Sequence, residues 1–244
     1  SLPPVPEAET ALKNISFTVK KGEKIAFVGP SGSGKTTIIN LLLRGFDPSE
    51  GKIMVADIDL RLIKLDSYLR KVGYVEQKVN LFDQTIKYNL CFGLGDSADK
   101  LSDDELMEYI KKAQLMNLWP KLDKGFATVI GEKGIKLSGG EGQRLGIARA
   151  LIKEPDIIIF DEATSSLDAE SEHEIQKAID ESSIGRTTII VAHRLSTVLN
   201  CDRIYMVSNG QIIGSGSHVE LLESCPEYKQ LVQRQVNAFE PLTV

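Results

Sequence analysis

The chain has 244 residues, 42% of them hydrophobic, 26% charged and 6% aromatic, which is enough apolar content for a buried core and too much for intrinsic disorder. Its 29 Lys and Arg against 34 Asp and Glu leave a net charge of −5, a balance that argues against a protein whose business is coating nucleic acid. The longest apolar runs, such as Ile157 to Phe160, fall far short of the roughly 20 residues needed to span a bilayer.

In chain order, Leu2 to Glu9 reads as an extended lead-in with no signal-peptide pattern and no initiator Met, so a fragment of something longer is expected. Ile15, Phe17 and Val19 alternate with polar residues and predict a half-buried strand. Ile25 to Val28 is a continuous apolar run, suited to a strand covered on both faces. A glycine-rich loop, a helix over Thr37 to Leu43, a turn at Pro48 to Gly51 and a strand over Lys52 to Ile58 follow. Leu106, Ile110, Ala113 and Leu118 recur at helical spacing and predict a helix from Asp103 to Leu118. A helix from about Gly142 to Lys153 is stopped by Pro155. Strands over Ile157 to Phe160 and Thr188 to Ala192 flank a helix from Ala169 to Ser182. Ile204 to Val207 and Gln211 to Gly214 surround Ser208-Asn209-Gly210, a hairpin signal because Asn-Gly tolerates positive φ. The pattern predicts one α/β domain over 1–244, with a core lobe over about 11–80 and 154–240 and a helical lobe inserted over about 81–153. Cys91, Cys201 and Cys225 show no metal-ligand spacing and read as reduced thiols of a cytosolic compartment.

Gly29-Pro30-Ser31-Gly32-Ser33-Gly34-Lys35-Thr36 fits the phosphate-loop (Walker A) pattern between a strand and a helix, the context that pattern requires. Its glycines let backbone amides turn toward phosphate oxygens, the helix adds its positive dipole end, Lys35 places a charge on the β and γ phosphates, and Thr36 can ligate Mg²⁺. Asp161 and Glu162 (Walker B) close a buried strand, and open α/β sheets bind ligands at the carboxyl ends of their strands. Asp161 suits the Mg²⁺ shell, and Glu162 is placed to polarise the attacking water. Ser138 and Glu141 fit a capping box at a glycine-flanked helix start. Such a start also seeks an anion, although the phosphate loop already serves the nucleotide. Action on a neighbouring molecule is therefore expected.

With these motifs in order, the chain resembles the nucleotide-binding domain of an ABC transporter over about Leu12 to Leu231. The resemblance implies a P-loop core of ABC ATPase type with an antiparallel β subdomain and an inserted helical subdomain. It implies that Gly29 to Thr37 bind ATP. Gln77 matches a loop glutamine that touches Mg²⁺ and senses the membrane domain, and His193 matches a switch histidine near the γ phosphate. Leu137 to Glu141 matches the family signature. Ser138, Gly139, Gly140, Glu141 and Asp168, the last within the Ser165 to Asp168 interface segment, would therefore reach a partner's ATP in trans. Leu81 to Ile86 with Asn89, Thr128 to Gly134, His193 to Thr197 and Gly216 to His218 resemble the exporter branch.

These likenesses imply Mg·ATP hydrolysis by a head-to-tail dimer, a homodimer because no catalytic position is degenerate, coupled to a transmembrane domain outside this chain and working at the cytoplasmic face. The alternative is a soluble ABC ATPase of nucleic-acid maintenance or translation, but those types carry long coiled coils or tandem domains. Another is a module that senses ATP without turnover, which intact Glu162 and His193 oppose. One departure stands out: the family usually stacks an aromatic on adenine, whereas Leu2 to Val5 supplies Leu, Pro, Pro and Val. His173 and His218 read as surface residues without a chemical role, and Trp119-Pro120 as a helix terminator with a packed ring.

Overall fold

A computed structural model describes residues 11–132, 134–163, 168–192 and 194–239. Five apolar runs form its central sheet: β1 (Lys24–Val28), β4 (Val72–Val75), β5 (Ile157–Asp161), β6 (Thr187–Val191) and β7 (Arg203–Ser208). They lie parallel in the order β4-β5-β6-β1-β7, and β8 (Gln211–Gly216) adds antiparallel to β7 at one edge. Parallel strands read as unbroken apolar runs because both of their faces are covered. Alternate residues accordingly enter two cores: Ala26, Val28, Ile158 and Phe160 on one face, Ile25, Phe27, Ile159 and Val191 on the other. The first core is roofed by helices that include α3 (Ile86–Cys91), α4 (Asp103–Lys112), α5 (Gly139–Leu151), α6 (Ala169–Ser183), α7 (His218–Ser224) and α8 (Pro226–Phe239). The second is covered by α1 (Lys35–Leu42), with α2 (Leu65–Leu69) and a hairpin of β2 (Met54–Val55) and β3 (Ile58–Asp59) toward its edge.

Several expected elements differ. Ile15, Phe17 and Val19 are half-buried as their alternation requires, but the segment forms no strand. Side-chain burial fixes it instead: Phe17 packs edge-on to Phe27 with ring centroids 5.0 Å apart. Period-two patterning reports which side chains are covered and says nothing of whether the backbone has a partner. The single strand expected over Lys52 to Ile58 is a hairpin, because Ala56 (φ 47°) and Asp57 (φ 64°) both adopt the left-handed turn conformation that joins twisted strands. The helix expected to reach Leu118 stops at Lys112, where Gln114 (φ 56°) turns left-handed, and a 3-10 turn over Met116–Lys121 takes over. Within that turn the Trp119 ring packs against Phe126 at 4.6 Å. The helix expected from Gly142 begins at Gly139, since the Ser138 cap reaches the amide three residues on. His218 is not a plain surface residue: it is half-buried, with Nδ1 2.8 Å from the hydroxyl of fully buried Tyr228. All three cysteines are buried, and burial pushes the Cys201 thiol up to about 12.

Candidate nucleotide-binding site

The parallel register sets the carboxyl ends of β1, β4, β5 and β6 side by side along one rim. From β1 the chain turns through Gly29 (φ 150°), Gly32 (φ 76°) and Gly34 (φ 110°) into α1. A Cβ at Gly29 would sit 2.1 Å from the Val207 carbonyl oxygen, so no other residue fits there. Gly34 caps α1 without a side-chain bond, which leaves the first-turn amides to an outside acceptor. Lys35 is only 4% exposed and folds back over its own loop. Its Nζ donates to the Gly29 carbonyl at 2.8 Å and the Pro30 carbonyl at 2.9 Å. Burial lowers its pKa, while Glu162 and then Asp161 oppose that shift. The Thr36 and Ser31 side chains face solvent beside it.

Asp161 ends β5, and Glu162 follows in the left-handed conformation (φ 50°), its amide donating to the Val191 carbonyl at 2.9 Å. A non-glycine residue in that region costs free energy and persists where the surroundings over-determine it, as at functional sites. Gln77 donates from Nε2 to Glu162 Oε2 at 2.9 Å. Tyr74 donates from its hydroxyl to Asp161 Oδ2 at 3.2 Å, and burial, with the Asp161 charge second, raises the phenol well above its ordinary pKa. Lys35, Asp161, Glu162 and Gln77 are thus brought into one cluster. His193, Thr164, Ser165, Ser166 and Leu167 lie outside the described residues.

The second group of expected residues assembles at the start of α5. Ser138 Oγ accepts from the Glu141 amide at 3.1 Å while Glu141 Oε2 accepts from the Ser138 amide at 2.8 Å, the reciprocal capping box. Asp168 caps α6, accepting from the Ser171 amide at 2.9 Å. The two helix starts touch: a Cβ at Gly140 would lie 2.7 Å from Ser171 Oγ, so glycine there permits their approach. Further along α5, Gln143 Nε2 donates to the Glu76 carbonyl at 2.8 Å and so ties this helix to the loop that holds Gln77.

Two contributors escaped sequence reading. Lys121 Nζ lies 2.8 Å from Glu141 Oε1. Burial of Glu141 works to raise its pKa, but Lys121 and the Ser138 amide outweigh burial and hold it low. No motif joins residues 121 and 141, so only packing could reveal the pair. The same holds for Tyr74, which strand alternation places in the sheet without indicating what its hydroxyl meets.

The sequence pattern of the family described as ABC transporter matches residues 12–165. The chain belongs to the ABC transporter family. As an ATPase domain of that family it binds ATP. It is 46% identical over 229 residues to the ATP-dependent lipid A-core flippase of Pasteurella multocida (strain Pm70), a match covering 94% of this chain and 39% of that protein. It is 44% identical over 219 residues to ABC transporter ATM1 of Toxoplasma gondii (strain ATCC 50611 / Me49), covering 89% of this chain and 19% of that one. Among solved structures, a bacterial Atm1-family ABC exporter with ATP bound superposes with a TM-score of 0.84 at 40% identity, over 93% of this chain and 39% of that chain. The ABC domain thus spans well under half the length of these relatives. Two of them are named as a flippase and an exporter, so the alternative of a nucleic-acid ATPase is not favoured. Among the described residues no helix is long and apolar enough to cross a membrane.

Proposed function

We propose that this domain hydrolyses Mg·ATP at a head-to-tail interface between two copies of itself and thereby drives export by a transmembrane domain at the cytoplasmic face of a membrane. The observation that carries the hydrolytic part is the 2.9 Å bond between Gln77 and Glu162, on the rim where Lys35 and Asp161 also converge. In cis, Gly29 to Thr37 cradle the phosphates and Lys35 exchanges its bonds to loop carbonyls for phosphate oxygens. Glu162 takes the proton of the attacking water and Gln77 orients Glu162, while the resemblance alone assigns His193 to the γ phosphate. Asp161, the Thr36 hydroxyl and the Gln77 amide oxygen are hard donors of the kind Mg²⁺ prefers, and they would hold it. The bound ion supplies charge neutralisation on the phosphates.

In trans, Ser138, Gly139, Gly140, Glu141 and Asp168 receive the partner's nucleotide. Two capped helix starts side by side, remote in sequence from the phosphate loop, support this reading. Contact with the membrane domain is assigned to a groove of 810 Å³ lined by Gln77, Leu81, Asp83, Glu132, Leu137 and Gln143. The Phe82, Tyr88 and Phe92 rings cluster beside it, each more than a third exposed. Gln77 lines this groove and also holds Glu162, so an event in the groove has a short route to the general base.

The test is phosphate release from Mg·ATP by the purified chain. Glu162→Gln is expected to keep ATP binding, lose about 10²–10⁴-fold in turnover and accumulate as an ATP-dependent dimer on size exclusion. Parental turnover in Glu162→Gln would remove that residue from the mechanism. ATP binding without any phosphate release by the parental chain would favour an ATP-sensing module.

A further inference from the structure

Strand β4 ends at Val75, and residues on either side of that end reach across to Asp161, the last residue of β5, and to Glu162 just after it. Gln77 holds Glu162 and Tyr74 holds Asp161. Consecutive side chains at a strand end point to opposite faces, so one tether cannot serve both. In the parallel register Tyr74 pairs with Ile159, two residues before Asp161. That offset is a rise of about 6.6 Å along a parallel strand, a span that needs a long, stiff side chain with a donor at its tip. Tyrosine supplies the ring to cross it and the hydroxyl to end it, and half-buried packing against the second core holds the ring in place.

We propose that Tyr74 is a positioning residue that presents Asp161 to the divalent cation of the bound nucleotide, by fixing the rotation of the carboxylate through its hydrogen bond to Oδ2. The inference rests on Asp161 being a metal ligand. Hydrogen bonds to ligating carboxylates commonly change metal affinity by about 10- to 100-fold when removed. A single neutral donor 3.2 Å away belongs at the lower end. The effect falls on the metal and not on the nucleotide, because the phosphate loop contacts phosphates through its own amides and Lys35. Tyr74 thereby links the segment that leads into the Gln77 loop to the metal ligand, beside the link from Gln77 to the general base.

The experiment compares the parental chain, Tyr74→Phe and Asp161→Asn. Nucleotide affinity is measured in EDTA with a fluorescent ATP analogue, and Mn²⁺ affinity of the ATP-loaded protein by loss of the free-ion EPR signal. Tyr74→Phe keeps the ring and removes only the hydroxyl. Its EDTA affinity is expected to stay within about twofold of parental while Mn²⁺ affinity falls about tenfold. Asp161→Asn is expected to lose at least as much Mn²⁺ affinity. Unchanged Mn²⁺ binding in Tyr74→Phe, alongside a loss in Asp161→Asn, overturns the role of Tyr74 and leaves the metal site standing. Unchanged Mn²⁺ binding in both variants removes Asp161 from the metal site, and the inference falls with it. An equal loss in EDTA and in Mn²⁺ would mean that the hydroxyl supports the site as a whole, which also overturns a positioning role.

Discussion

Replacing Asn89 by Leu keeps the branched shape and heavy-atom count of a fully buried side chain, at a somewhat larger volume, and removes all of its polar bonds. Asn89 Oδ1 accepts from the Phe82 amide at 2.9 Å and from Arg149 Nη2 at 3.2 Å, while Nδ2 donates to the carbonyls of Phe82 at 3.0 Å and Thr85 at 3.1 Å. The side chain therefore staples the 82–85 loop onto the first turn of α3, and Arg149 of α5 locks the staple from below. In Asn89→Leu the Phe82 amide loses its acceptor, at about 1–3 kcal/mol if it stays dry, and the bond to charged Arg149 is worth about 1.5–3 kcal/mol. Phe82 is 38% exposed, so water recovers part of the first term. Arg149 keeps its bonds to the Asn89 and Asn80 carbonyls, at 2.7 and 2.9 Å, which reduces the second. A net loss of about 2–3 kcal/mol remains, or a fall in Tm of about 4–12 °C for a domain of this size. Calorimetry and urea unfolding should agree, with an unchanged m-value. Asn89→Asp keeps the acceptor but sets a buried carboxylate oxygen against the Phe82 and Thr85 carbonyls, so it should lose at least as much. A loss below about 0.5 kcal/mol in Asn89→Leu would refute the reasoning.

Three further outcomes are expected. Lys35→Ala and Ser138→Arg chains, each inactive alone, should regain part of the activity when mixed, since one interface of the mixed dimer then carries neither lesion; no recovery with mixed dimers demonstrated would place both residues on one nucleotide. Lys121→Gln should weaken ATP-driven dimerisation severalfold in a Glu162→Gln background, by leaving the Glu141 carboxylate without its cation where the proposed dimer would bring the partner's triphosphate, and adding Glu141→Gln should restore it; dimerisation indifferent to Lys121 would exclude this charge compensation. Base stacking is worth about 1–3 kcal/mol, and neither Phe17, packed on Phe27 and Tyr205, nor Tyr74, bonded to Asp161, is placed to supply it. This chain should therefore discriminate poorly between ATP and GTP in parallel titrations, and a strong preference for ATP would reveal another base contact.

What the sequence determined by itself is whatever depends on neighbours a few residues apart. The phosphate loop is one continuous segment whose glycine spacing sets its own backbone, and the Ser138–Glu141 box closes within one helical turn. The buried strands announce themselves because a strand covered on both faces needs apolar residues throughout. The Ser208–Gly210 turn is legible for the same local reason, with Asn209 and Gly210 both at positive φ. Only the tertiary structure decided the rest. Ile15 to Val19 has the period of a strand but no backbone partner among the described residues, and pairing is a property of two segments. Gln114 ended a helix whose apolar spacing continued past it, because the Ser102-capped helix turns there to bury Leu115 and Leu118. The contacts of Tyr74 with Asp161, Lys121 with Glu141 and Asn89 with Arg149 join residues 87, 20 and 60 positions apart. Each pair is created by the order in which strands and helices stack. A side chain's partner across such a distance is set by packing, and no local spacing rule encodes it.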